Sequence, residues 1–344
     1  MIISKNISLI NILKRTGLHI LLLLLYTGFV TLLYRYNIIY FEIPWLPVSV
    51  IGTAVAFYVG FKNNQAYDRM WEARKIWGGI INESRTWGMM IDNFVTNSYA
   101  STKLEDDALH EIKKRLIYRH MGWMYAHRSQ LLVPTPWEHI SQKGFVGYTA
   151  KHYVRKYGIG MIEDEISRKK LQLFLPSDEY QRLINYRNTA TQIINEQSRD
   201  LKILKEQGLI DNFRHIELSR SLKQFYNLQG KNERIKKFPL PRQYANMSRI
   251  FVWIFIGLLP FSMVPELIKI GYMAVWASIP VTALIGWVYM MMEVVGDYSE
   301  NPFQGMSNDI PMLSLCRTIE IDLREMLGET ELPPIIKAKN GILM

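Results

Sequence analysis

The chain has 344 residues, 49% of them hydrophobic and 12% aromatic, and 41 Lys+Arg against 31 Asp+Glu give it a formal net charge of +10. Its one cysteine, Cys316, excludes an intramolecular disulfide framework and any multi-thiolate metal site. The positive balance would suit nucleic acid in a soluble protein, but long uncharged runs make anionic lipid headgroups the simpler partner and argue against nucleic acid.

The first uncharged run, Leu18 to Tyr34, follows Lys5, Lys14 and Arg15. A run near twenty residues is what a helix needs to cross roughly 30 Å of hydrocarbon. Backbone groups in lipid must be satisfied within the element, so such runs are predicted to be helices. This one is short and needs flanking residues such as Thr16 and Gly17 to span. A basic start before an apolar core resembles a signal peptide, but no small-residue cleavage site follows and a second apolar run comes soon after. The segment is therefore predicted to be a retained transmembrane helix.

The second run is Ile43 to Phe61. Gly52, Ala56 and Gly60 form a small-residue row at four-residue spacing, which lets another helix approach closely. One position on, Thr53, Phe57 and Phe61 form a parallel row. Apolar rings from several subunits can close a pore by excluding water. Both rows also suit ordinary packing in a membrane helix. The join to Lys62-Asn63-Asn64, where the span enters polar surroundings without a turn, favours the pore.

Between Lys62 and Arg249 lie 32 Lys+Arg against 20 Asp+Glu, and the pattern is helical almost throughout. Tyr67, Trp71, Arg74, Trp77, Ile80, Ile81, Ser84 and Trp87 recur at three- and four-residue steps, which continues the second span as an amphipathic helix. A further helix is predicted over 106–128, ended by Pro134 and Pro136. Another starts at Ser177, a suitable N-cap before Asp178 and Glu179. It continues through Leu183, Tyr186, Ala190, Ile193, Ile194 and Gln197 to Gly208. A last one runs from Ile210 to Leu228 before a break at Gly230. The third and fourth uncharged runs, Ile250 to Pro265 and Gly271 to Met292, follow, the third again borrowing Leu267 and Ile268. An amphipathic helix from Ile310 to Met326, with Asn308-Asp309 as cap, ends the pattern.

Basic flanks stay cytoplasmic, which puts both termini and the middle segment inside a cytoplasmic membrane. Enzymatic constellations are missing: there is no His-Glu-x-x-His helix, phosphate loop or Gly-x-Ser-x-Gly elbow. Gly158-Ile159-Gly160 lacks a third glycine and reads as a turn. His120 and His127 lie seven residues apart on one helical face, but no further metal ligand is indicated, so they read as ordinary, partly exposed histidines. Glu72, Glu163, Asp164 and Glu165 are the acids that a membrane-anchored enzyme would use, and nothing beside them supplies a nucleophile or cofactor.

The stretch from Gly60 to Gly78, GFKNNQAYDRMWEARKIWG, resembles the bestrophin channels, particularly their bacterial branch. Glu233-Arg234-Ile235-Lys236-Lys237-Phe238-Pro239-Leu240-Pro241 agrees, as do Glu300-Asn301-Pro302-Phe303, Asn308-Asp309-Ile310-Pro311 and Cys316-Arg317-Thr318-Ile319-Glu320. The resemblance implies a homopentamer with four transmembrane helices per subunit, a large cytosolic helical region and one central pore for small inorganic ions. By position it puts Thr53, Phe57 and Phe61 at the neck and Phe238 at a cytosolic aperture. Animal members bind calcium partly through an acidic cluster after Asn-Pro-Phe. Here Gln304-Gly305-Met306-Ser307-Asn308 leaves Asp309, near Asn301, as the one expected side-chain carboxylate, and calcium wants six or more hard oxygen ligands. Calcium gating is therefore not expected, and no metal or cofactor is implied.

Family members pass either anions or cations. Lys62, Lys236 and Lys237, each repeated five times, would make positive rings that enrich anions if they faced the pore; alternatively they bind headgroups or pair with acids such as Glu233 and Asp68. The expectation is an all-α anion channel, with a monovalent-cation channel of the same architecture, or a membrane-anchored enzyme or scaffold, as the alternatives. Its segments are expected at 1–62, 63–248, 249–292 and 293–344.

Overall fold

The computed structural model describes residues 1–4, 9–157, 165–271, 273–339 and 341–344. Among these the architecture is all-α. The helices are α1 (Leu9–Arg35), α2 (Trp45–Phe94), α3 (Asp106–Leu132), α4 (Gly144–Tyr157), α5 (Glu165–Phe174), α6 (Ser177–Leu183), α7 (Thr189–Glu206), α8 (Asn212–Lys237), α9 (Arg242–Ile270), α10 (Ala274–Ser299) and α11 (Met312–Met326). A 3-10 turn spans His139–Ser141. The chain divides into a membrane unit, residues 4–69 with 239–300, and a helical unit, residues 1–3, 70–238 and 301–344. Gly158-Ile159-Gly160, Glu163 and Asp164 lie outside the described residues.

Among the described residues four helices are long and apolar enough to cross a membrane: α1 from Thr16, α2, α9 and α10. The two spans that looked short do borrow their flanks. α9 has 29 residues, about 43 Å at 1.5 Å per residue. In this unit α10 packs on α1 and α9, and Leu23, Val55, Val59, Phe255, Ile256 and Ala283 share one core cluster. The Thr31 and Ser278 hydroxyls share a hydrogen bond of 3.0 Å between α1 and α10, the kind of polar contact that ties helices together where lipid offers no alternative partner. Pro265 within α9 has no N–H, so the Phe261 carbonyl one turn earlier loses its helical donor. The Ile43 N–H donates to that carbonyl at 3.3 Å and the Tyr34 hydroxyl at 3.4 Å, so the connector before α2 supplies what proline removes.

In the helical unit α3 packs on α5, α7, α8 and α11. Local rules fail here where tertiary contacts override them. Ser177 is not the cap of α6 but its first residue, after Pro176, and the helix stops at Leu183. The expected continuation through Tyr186 is broken, and α7 starts afresh with Asn188, whose side chain accepts the Thr191 N–H at 2.9 Å. Gly208 ends α7 at φ +69, as its freedom allows. Gly230 breaks nothing. α8 runs through it, because the roughly 1 kcal/mol cost of a mid-helix glycine is outweighed by burial of Leu228, Gln229, Asn232 and Ile235 around it. α11 starts at Met312 behind Pro311, so Asn308-Asp309 do not cap it.

The two histidines are not partly exposed; both are buried. His127 stacks between Trp123 and Trp77 at centroid distances of 5.8 and 6.0 Å, and His120 stacks on Trp123 at 5.2 Å. His120 Nε2 meets Ser84 Oγ at 2.9 Å and His127 Nε2 meets Asn232 Nδ2 at 3.1 Å, and among the described residues neither belongs to a cluster of three or more His, Cys, Asp or Glu that could hold a metal. Burial pulls His120 down to about 3 and His127 down to about 4, the latter opposed by Glu233. Unfolded imidazoles take up protons from about pH 6.5 downwards while these two refuse them. The unfolded state then binds more protons, so stability is full above pH 6.5 and falls as pH drops towards 4 and 3. Calorimetric melting between pH 7.5 and 4.5 should show a progressive loss for this unit; a flat profile would contradict the assignment.

Candidate functional site

On a helix each residue turns by about 100°, so Thr53, Phe57 and Phe61 share one face of α2 while Val55, Val59 and Lys62 share the opposite one. The structure separates the two faces by burial. Val55, Val59 and Lys62 are buried, whereas Phe57 and Phe61 are 66% and 61% exposed. Thr53, Ala56, Phe57, Gly60, Phe61, Asn64 and Tyr289 line an open concavity of about 470 Å³. The Thr53 hydroxyl is engaged by its own helix, donating to the Ser49 carbonyl at 2.9 Å. Within the chain the small-residue row serves packing at Gly52 only: a Cβ there would fall 2.7 Å from the Phe255 ring, while one at Gly60 would meet nothing.

Of the two readings the sequence left open for Lys62, a positive ring or a pairing with an acid, the structure shows a pairing, with Glu293. Lys62 forms no free positive ring, because its side chain is fully buried and its ammonium lies 2.5 Å from Glu293 Oε1 of α10. The other carboxylate oxygen accepts the Ser248 hydroxyl of α9 at 2.5 Å, and Asn63 donates to the Met292 carbonyl at 3.1 Å. Two more acids nearby have basic partners: Asp297 of α10 with Arg249 at 3.3 Å, and Glu300, just past the end of α10, with Arg242 at 2.9 Å. Glu293, Ser248 and their partners were missed by sequence reasoning, although an acid amid Met290–Val295 is itself a signal, since charge within a span is costly and needs a partner.

Lys236 likewise offers no free charge. Its ammonium is 2.5 Å from Glu138 Oε1 and 3.4 Å from the Phe303 carbonyl. Burial pulls that ammonium below the ordinary lysine value and pushes the Glu138 carboxyl up, each opposed by the other's charge. Lys237 is exposed and pairs with Glu233 at 3.1 Å, one turn earlier on α8. Phe238 caps α8 with extended backbone, its N–H still bonded to the Arg234 carbonyl at 3.0 Å. Pro239 follows, which disfavours helix at residue 238. The Phe238 ring is left 66% exposed.

Asn301 and Asp309 are both buried at the ends of one loop. Asp309 Oδ2 accepts the N–H groups of Gly305 and Met306 at 2.7 and 3.0 Å, with Gly305 at φ +82 where a side chain would be strained. Oδ1 has no partner. Burial pushes this carboxyl up to about 7 against those two hydrogen bonds. The loop closes on its own carboxylate, and Gln304 turns away to bind the His139 backbone N–H at 3.2 Å and its ring at 3.1 Å. Among the described residues no cluster of three or more His, Cys, Asp or Glu is positioned to hold a metal. Of the acids weighed for an enzyme, Glu72 pairs with Lys75 at 2.7 Å on the surface, and Glu165 opens α5.

Residues 7–325 match the family model described as Bacterial/Fungal Bestrophin protein. The chain is similar to the voltage-dependent anion channel-forming protein YneE of Escherichia coli (strain K12), with 24% identity over 85% of this chain and 83% of that one. It is similar to the voltage-dependent anion channel-forming protein sll1024 of Synechocystis, at 24% over 88% and 82%. Among solved structures a bacterial bestrophin homologue from Klebsiella pneumoniae superposes with a TM-score of 0.73 at 21% identity, over 91% of this chain and 99% of that one.

Proposed function

The chain belongs to the bacterial and fungal bestrophin family, and we propose that it is a homopentameric channel passing small anions through a central pore lined by α2. One observation carries this reading: α2 keeps one face packed and leaves Phe57 and Phe61 exposed over an open concavity. Side chains of that size cost too much to leave in water, so they face lipid or one another, and apolar rings brought together around an axis make a dry constriction. Thr53 would complete the neck and Phe238 would form a second restriction. The anion preference rests on what the similar proteins are called, since Lys62 and Lys236 are engaged within the chain. Both termini and the helical unit are assigned to the cytosol of an inner membrane by the basic flanks. Calcium is not part of this reading, because Asp309 is committed to its own loop.

The test combines the mass of the intact complex in detergent with reversal potentials in lipid bilayers under a salt gradient, with calcium present and chelated. A pentamer whose reversal potential moves towards the chloride equilibrium value, whatever the calcium level, is expected. A monomer or dimer as the sole stable species would sink the assembly, and a reversal at the cation value would sink the ion assignment.

A further inference from the structure

The exposed face of α2 does not stop at Phe61. Taking Phe57 as the reference direction and stepping about 100° per residue, Asn64 and Asp68 fall about 20° to either side of it, whereas Lys62 points about 140° away. The burial pattern agrees. Asn64 and Asp68 are exposed, Lys62 and Ala66 are buried, and Asn64 lines the same concavity as Phe57 and Phe61. The neighbouring basic groups of the membrane unit are engaged elsewhere: Lys62 with Glu293, Arg249 with Asp297, Arg242 with Glu300, and Arg69 through its Nε with the Glu300 carbonyl at 2.7 Å. Among the described residues no ion pair is formed by Asp68. The formal charge at the inner end of the phenylalanine row is thus a carboxylate, on the side where sequence reasoning put an ammonium.

We propose that Asp68, with Asn64 above it, is the specificity-determining position of this channel. The proposal rests on reading the Phe57–Phe61 face as pore lining. Repeated around the axis, Asp68 makes an acidic ring at the exit of a narrow apolar passage. Low-dielectric walls focus its field, which draws in cations and opposes anions. Asn64 offers amide donors and an acceptor between the dry rings and that charge, so it contacts ions of either sign without selecting one. Asp68 therefore works against anion passage, and an anion channel built on this helix discriminates weakly against cations.

The experiment is the chloride-to-potassium permeability ratio of the purified protein in bilayers under a potassium chloride gradient, on variants that elute as the parent does. Asp68→Asn is expected to raise the ratio about tenfold, the lower end of what a focused surface field does to local ion concentrations. The gain should shrink from 0.1 M to 1 M salt, because the screening length falls from about 10 Å to about 3 Å; a purely structural effect would not follow salt. If Asp68→Asn does not assemble, Asn64→Asp adds a second carboxylate to the same face and should lower the ratio instead. An unchanged ratio in the assembled variant, or a change that ignores salt, overturns the proposal. Phe57→Ala separates the two layers of inference. If it alters conductance while Asp68→Asn leaves the ratio untouched, the pore face stands and the selectivity role falls. If Phe57→Ala also has no effect, the pore face itself is wrong.

Discussion

Replacing Phe57 or Phe61 with alanine is expected to raise ion flux through the assembled protein, by about tenfold for each 1.4 kcal/mol removed from the barrier. A ring of phenyl groups excludes water from a narrow passage, and an ion crossing it must shed hydration for which the rings give no substitute. Truncation widens the passage and wets it. The folding cost should be small. A core phenylalanine loses about 3–5 kcal/mol on truncation to alanine, but these two rings are exposed within the chain. Phe238→Ala should act differently, changing relative permeability among ions rather than total flux, because a short aperture sorts ions by size and dehydration without closing the path. Flux and selectivity measured on variants confirmed as pentamers decide the matter. Unchanged flux and selectivity in Phe57→Ala and Phe238→Ala alike would remove both positions from the pore, and collapse of the assembly would make them packing residues.

Lys62→Met should be the most damaging single change in the membrane unit. It strands the Glu293 carboxylate among buried groups, and removing one partner of a buried ion pair typically costs about 3–5 kcal/mol. Ser248 cannot compensate, since it already donates to the other oxygen. Glu293→Leu should be similarly harmful by stranding the lysine. The double variant Lys62→Met/Glu293→Leu should recover much of the loss, because a well-packed apolar pair often matches or exceeds a buried salt bridge in stability. Size-exclusion profiles and melting temperatures in detergent provide the readout. Equal damage in single and double variants would mean that the pair is not coupled, and an undamaged Lys62→Met would mean that the lysine reaches solvent.

The same pair shows why part of the site was hidden. Spans were found as stretches without charge, so the second ended at Phe61 and the fourth at Met292, each because the next residue is ionised. Those two terminating charges are Lys62 and Glu293, 231 positions apart in the chain and bonded to each other. A rule that works by excluding charge cannot see that two excluded charges neutralise one another. Lys236 and Glu138, 98 positions apart, escaped because nothing in the sequence around either one points to the other. The four apolar spans, the long helix over 106–128 and the Thr53–Phe57–Phe61 row were legible because they depend on spacing along one element, whereas α4 and α5 were not picked out. Gly230 and Ser177 were misread because packing from distant segments decides whether a local breaker or cap is used. The histidines looked solvent-facing because nothing in their immediate sequence reveals the tryptophans stacked on them.

The two faces of α2 place different physical constraints on substitution. On the packed face, Lys62 and Glu293 are coupled: replacing either alone strands a buried charge, so stability favours changing both or neither. On the open face, Thr53, Phe57, Phe61, Asn64 and Asp68 are exposed within the chain, so if that face lines the pore, a single substitution there should alter ion passage and leave the subunit's folding intact. With the pore face so read, a helix divided in this way would let conductance be retuned one residue at a time while the scaffold that presents it stays fixed.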